Sequence, residues 1–109
     1  MRVFGEALQP VVEKDGSWSV PSSKVCCPVC GDSYQHHGSI IVFDRDGGED
    51  GPTTIATIGS VPLGAVSGNP SPRRDAIRIL FHGECGHHWC LDVVQHKGES
   101  FVFAREWLP

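Results

Sequence analysis

No stretch of this chain comes near the ~18 consecutive apolar residues that a membrane-crossing helix needs, and none repeats apolar residues at helical spacing over any length. The first absence argues against a helical membrane span, the second against a helix bundle. A basic excess is missing too. Nine Lys and Arg stand against 13 Asp and Glu, for a net charge of −4. Proteins that grip phosphate backbones broadly carry a basic face, so only a local basic cluster could serve nucleic acid here. Nor do the cysteines come in an even number. Five Cys, with two of them in knuckle spacing, suit metal ligation in a reducing compartment better than a disulfide framework. The opening Met1 to Glu6 meets acid, and soon proline, too early for a secretory signal. A cytoplasmic location follows as the expectation.

Turn formers are plentiful: 13 Gly and 8 Pro cut 109 residues into short pieces. The apolar fraction of 39% is ordinary, so short β units joined by turns, in one domain over 1–109, are expected. A small core leaves a thin folding balance that a bound metal would supplement. A hairpin extension is expected over 1–23, with arms at Leu8–Val12 and Ser17–Val20 and a turn at Lys14–Gly16. Antiparallel strands are expected near 39–44, 76–82, 87–95 and 99–104, with a weaker one over Thr53–Ile58. Long loops fall at 45–53 and 59–75, and Arg105–Trp107 reads as a short terminal turn. In the strand beginning at Asp75, Ile77, Ile79 and Phe81 share one face, and Arg78, Leu80 and His82 the other.

Two segments carry chemistry. Cys27-Pro-Val-Cys30-Gly31 has the form of a zinc knuckle: two ligands three positions apart, then a Gly that frees the backbone to turn toward the sulfur. A redox Cys-x-x-Cys would open a helix in a βαβ unit, and the surroundings here are β-rich. His82-Gly-Glu-Cys85-Gly86 repeats the form with His in the leading place. The expected ligands are therefore Cys27, Cys30, His82 and Cys85, with Cys90 the rival to His82. His87 and His88 are read as the start of the next strand, one of them able to hydrogen-bond toward the site. Four protein ligands close a zinc shell, which is the structural pattern rather than the catalytic one.

With these knuckles the chain resembles a zinc ribbon. More narrowly, it resembles small zinc-ribbon proteins of actinobacteria and their phages. Those carry a Cys-Pro-x-Cys-Gly knuckle, an Asn-Pro-Ser-x-Arg-Arg-Asp segment, matched here by Asn69–Asp75, and a Gln-His-Lys-Gly turn, matched by Gln95–Gly98. The likeness spans roughly 26–104 and departs at His82, where the relatives place Cys. It implies a β-rich zinc ribbon with one structural Zn²⁺ and an added N-terminal hairpin. It brings no known activity.

The remaining clusters are weaker. Arg73, Arg74, Arg78 and Lys97 are the candidate contacts for an acidic partner surface or nucleic acid. Asp44, Asp46, Glu49 and Asp50 fail the calcium-loop template and read as a solvated loop. His36, His37 and His96 read as surface or turn residues, and no acid, base and nucleophile converge, so no enzyme is expected. The expected role is a protein-interaction module, directed at a host factor if the gene is viral, with a nucleic-acid-binding ribbon as the alternative.

Overall fold

The computed structural model describes residues 2–3, 12–15, 19, 22–45, 51–61, 65 and 68–107. Eight strands are found among them: β1 (Arg2–Val3), β2 (Val12–Asp15), β3 (Ser22–Val25), β4 (Gln35–Arg45), β5 (Thr53–Ile58), β6 (Ala76–Gly83), β7 (His88–His96) and β8 (Glu99–Glu106). Among the described residues no helix is long and apolar enough to cross a membrane.

Six strands form one sheet in the order β1-β8-β7-β6-β4-β5, and β2 pairs with β3 in a second, small sheet. Every pairing is antiparallel. The β7–β8 hairpin turns at Lys97 and Gly98, whose φ values of 52° and 80° match the right-handed twist of the flanking strands. A bulge falls between His37 and Ile40, where β4 spends an extra residue against β6.

Alternation gives the large sheet two unlike faces. On one lie Ile41, Phe43, Ala76 and Val94, and beside them Leu80 and Cys90, with Ala65, Val61 and Trp107 packed over them. On the other, Phe81, Trp89 and Ala104 pack against Cys27, with Val25 of β3 alongside. The Phe81 and Trp89 rings stack with centroids 4.5 Å apart.

Four readings from sequence change. Lys14 and Asp15, expected in a turn, are strand residues paired with Ser23 and Ser22; the expected arm residues 8–11, 17, 18 and 20 lie outside the described residues. The expected terminal turn is instead an extension of β8 through Glu106, anchored by buried Trp107, whose backbone N–H donates to the His88 carbonyl at 3.0 Å. The segment before β6 is packed rather than loose. Ser71 is buried, donates through Oγ to the Gln95 carbonyl at 2.6 Å and accepts from the Arg74 N–H at 2.9 Å.

Arg78 is the fourth. It is fully buried rather than part of a surface cluster. Asp92 stands directly across from it on β7, and takes Nε at 2.7 Å and Nη2 at 3.0 Å, while Nη1 donates to the Ala65 carbonyl at 3.0 Å. Burial alone would lower the Arg78 pKa, but hydrogen bonding and charge from Asp92 outweigh it and raise it above the ordinary value. Arg105 adds an ion pair, its Nε 2.8 Å from Asp92 Oδ2, at an angle that falls short of a hydrogen bond. In this way Arg78 pins Ala65 to the sheet.

Candidate metal centre

Two turns meet at one end of the sheet. The first follows β3 and leads to β4; the second joins β6 to β7. In the first, the Gly31 N–H donates to the Cys27 carbonyl and the Cys27 N–H to the Asp32 carbonyl, both at 2.8 Å. In the second, the Gly86 N–H donates to the Gly83 carbonyl at 3.0 Å and the Gly83 N–H to the His87 carbonyl at 2.9 Å. Gly31 and Gly86 hold φ near +82° and +89°, the left-handed conformation that a side chain disfavours. The Glu84 N–H donates to the Tyr34 carbonyl at 3.0 Å and ties the second turn to the first.

This closure brings Cys27, Cys30, Cys85 and His87 together, with one ligand atom from each all within 4.8 Å of one another. Such a Cys3His group could hold a metal ion such as zinc. Cys27 is buried against Trp89 and Phe81, whereas Cys30 and Cys85 reach solvent. His87 Nδ1 lies 3.6 Å from Cys27 Sγ.

The surroundings are those of a thiolate site. The Val29 N–H donates to Cys27 Sγ at 3.4 Å, and Gln35 Nε2 approaches Cys85 Sγ at 3.8 Å. The Gln35 amide has its orientation set from the other side. Trp89 Nε1 can only donate, and it donates to Gln35 Oε1 at 2.8 Å, leaving Nε2 for the Asp32 carbonyl at 3.0 Å and for Cys85. Gly83 completes the cradle: a Cβ there would stand 2.5 Å from Cys85 Sγ and 2.6 Å from Gln35 Nε2.

The thiols differ in acidity. Burial pushes Cys27 up to about 11, against opposing hydrogen bonds from the Cys30 and Val29 backbone. Burial also pulls Cys85 upward, but the His87 backbone N–H and imidazole, with Cys30 and Gln35, bring it down to about 7. A cation bound among three sulfurs would favour the thiolate at all of them.

Three of the four ligands expected from sequence are brought together, and His82 is not. It lies exposed on the other face of β6, stacked on His36 with ring centroids 5.3 Å apart; His36 in turn meets Glu84 at 3.2 Å. Strand parity is the cause. The cysteines gather on the side of Phe81 and Trp89, and His82, adjacent to Phe81 in sequence, points the opposite way. His87 takes the fourth place because it sits past the left-handed Gly86 and before β7 begins, so strand phase does not bind it. The rival, Cys90, is fully buried beside Leu80 and Trp107 on the far face. Burial first, and then the nearby Asp92 charge, push its thiol up to about 12.

The basic residues are divided between surface and interior. Arg73, Arg74 and Lys97 are exposed at the sheet end opposite the cysteine cluster, since Lys97 follows the end of β7 and the Gln95 N–H donates to the Asp75 carbonyl at 3.0 Å. Arg78 is interior. Against known proteins, no family model, no curated protein and no solved structure matches this chain.

Proposed function

We propose that this chain is a zinc ribbon: a module in which one structural Zn²⁺, held by Cys27, Cys30, Cys85 and His87, fixes a surface that binds another protein. The observation that carries the reading is the closed Cys3His group, its ligand atoms within 4.8 Å of one another. A shell with no vacant position makes the metal a staple, so the work falls to the surface around it. That surface presents apolar and aromatic side chains, with Tyr34 67% exposed and Val29 also exposed. Amphipathic aromatics of this kind anchor protein interfaces. The net charge of −4 and the interior position of Arg78 weigh against the nucleic-acid alternative. If the resemblance to phage proteins holds, the partner is a host factor met in a reducing cytoplasm.

The test has two parts. Elemental analysis of protein purified without added metal should find about one zinc per chain. A partner captured from lysate should then bind the purified, zinc-loaded chain directly, and Tyr34→Ala should weaken that binding while leaving the zinc content unchanged. Salt-dependent binding of DNA or RNA, abolished by Arg73→Glu, would instead favour the nucleic-acid role.

A further inference from the structure

The three sulfurs of the metal centre differ in what can reach them. Cys27 is fully buried against Phe81 and Trp89. Its backbone is held at both ends, the N–H by the Asp32 carbonyl and the carbonyl by the Gly31 N–H. Cys30 and Cys85 are exposed. They stand on different turns, Cys30 between β3 and β4 and Cys85 between β6 and β7, yet their sulfurs lie within 4.8 Å of each other. A disulfide draws its sulfurs to about 2.05 Å, so a small approach of the two turn tips would join them. The tips have room for it: a Cβ at Gly31 or at Gly86 would meet nothing within 4 Å among the described residues. The chain on either side of both turns is described throughout, over 22–45 and 68–107. The other two cysteines, Cys26 and Cys90, are buried.

We infer that Cys30 and Cys85 are an oxidation site for hydrogen peroxide, at which a disulfide between the two turns takes the place of the metal. The inference deepens the zinc-binding reading proposed above and rests on it for the release of the ion. Oxidation of cysteine follows thiolate character and exposure. A bound cation keeps sulfur as thiolate, and exposure separates Cys30 and Cys85 from Cys27. One exposed thiolate attacks a peroxide oxygen; the O–O bond breaks, hydroxide leaves and a sulfenic acid forms. The other exposed thiolate then attacks that sulfur; the S–S bond forms, the S–O bond breaks and a second hydroxide leaves. Two thiolates have given up two electrons and the peroxide has taken both. Zn²⁺ keeps its charge, retains only Cys27 and His87 of its four ligands, and departs. The new bond ties together the same two turns that the metal had joined. Val29 adjoins Cys30 in the chain, so the closure resets an exposed apolar residue of the proposed partner surface.

The test treats the full-length, zinc-loaded chain with a small molar excess of hydrogen peroxide. Released zinc is followed with a colorimetric chelator, and the disulfide is located by peptide mapping after the remaining thiols are alkylated. One zinc should appear for each disulfide formed, the intact mass should fall by two hydrogens, and the bond should map to Cys30 and Cys85. Cys26, Cys27 and Cys90 should all be alkylated. Dithiothreitol with added zinc should restore the starting mass and metal content. His87→Ala keeps all three sulfurs while weakening the metal, and it should form the same disulfide faster than the wild type. A zinc-loaded chain that forms a Cys27–Cys30 or Cys27–Cys85 bond, that gains oxygen without a disulfide, or that keeps its zinc under peroxide overturns the oxidation site alone. A chain that purifies without zinc yet forms the Cys30–Cys85 bond overturns the zinc-binding reading and supports the oxidation site.

Discussion

At the scale of single residues, the metal centre turns on which side of the backbone a side chain leaves. His82 and His87 stand five positions apart around one turn, yet only His87 reaches the sulfur cluster. His87→Ala should therefore release the ion to a mild chelator and lower the melting temperature. For a ligand at 1,000 times its dissociation constant, losing it costs about 4 kcal/mol, or roughly 15 °C or more for a domain of this size. His82→Ala should keep the metal and shift the melting temperature by no more than a degree or two, its side chain being exposed. Elemental analysis and differential scanning calorimetry on the pair check this. Gly83 gives a separate expectation. The Cβ of Gly83→Ala would intrude on Cys85 Sγ and on the Gln35 amide, so the variant should bind metal at least tenfold more weakly in a chelator competition, as expected when support for a ligand is disturbed. The first knuckle was legible because Cys-x-x-Cys-Gly encodes its own turn. The second is not, because its ligand-x-x-Cys-Gly pattern points to His82, whereas strand parity turns His82 away from the face of Phe81 on which the cysteines gather.

At the scale of elements, most strands could be read from runs of β-branched and aromatic residues, and β5 was found with its bounds as expected. Pattern alone could not reveal which polar residues go inside. Arg78 and Asp92 lie 14 positions apart, and their pairing depends on the β6–β7 register, which the turn sets rather than either strand. The same holds for Ser71, an ordinary loop serine in sequence whose burial depends on where Gln95 arrives. Such a pair is costly to break. Asp92→Ala would leave Arg78 buried without its carboxylate, and denaturant unfolding should register a loss of about 3–5 kcal/mol. Replacing both partners by apolar residues, Arg78→Met with Asp92→Leu, should recover most of that loss, because a well-packed apolar pair carries no desolvation penalty. If the single and double variants are equally unstable, the pair's role in the fold is something other than mutual neutralisation.

At the scale of the whole molecule, the two sheets are joined unequally. The six-stranded sheet has a core of its own on the face away from the metal centre, built on Ile41, Phe43, Ala76 and Val94 and on Leu80, Cys90 and Trp107. Neither group includes a residue of the cysteine cluster. The β2–β3 hairpin, by contrast, is held to the large sheet through Val25 and Cys27 against Phe81 and Trp89, and two-stranded hairpins are at best marginal alone. A metal held by the Cys3His group would link Cys27 to the second turn, beyond the apolar contacts Cys27 already makes. Removing the metal should therefore loosen the molecule in one place. Amides of β2, β3 and the Cys27–Gly31 turn should lose hydrogen-exchange protection on chelation, while those at the centre of β6 and β7 retain most of theirs, since opening follows local units rather than the whole chain when their stabilities differ. Acid should act in the same direction, because protons compete with the metal for three thiolates. Uniform loss of protection across both sheets would mean that the metal stabilises the whole fold, with the far-face core unable to stand without it; protection unchanged in β2 and β3 would mean that packing against Phe81 and Trp89 suffices to hold the hairpin.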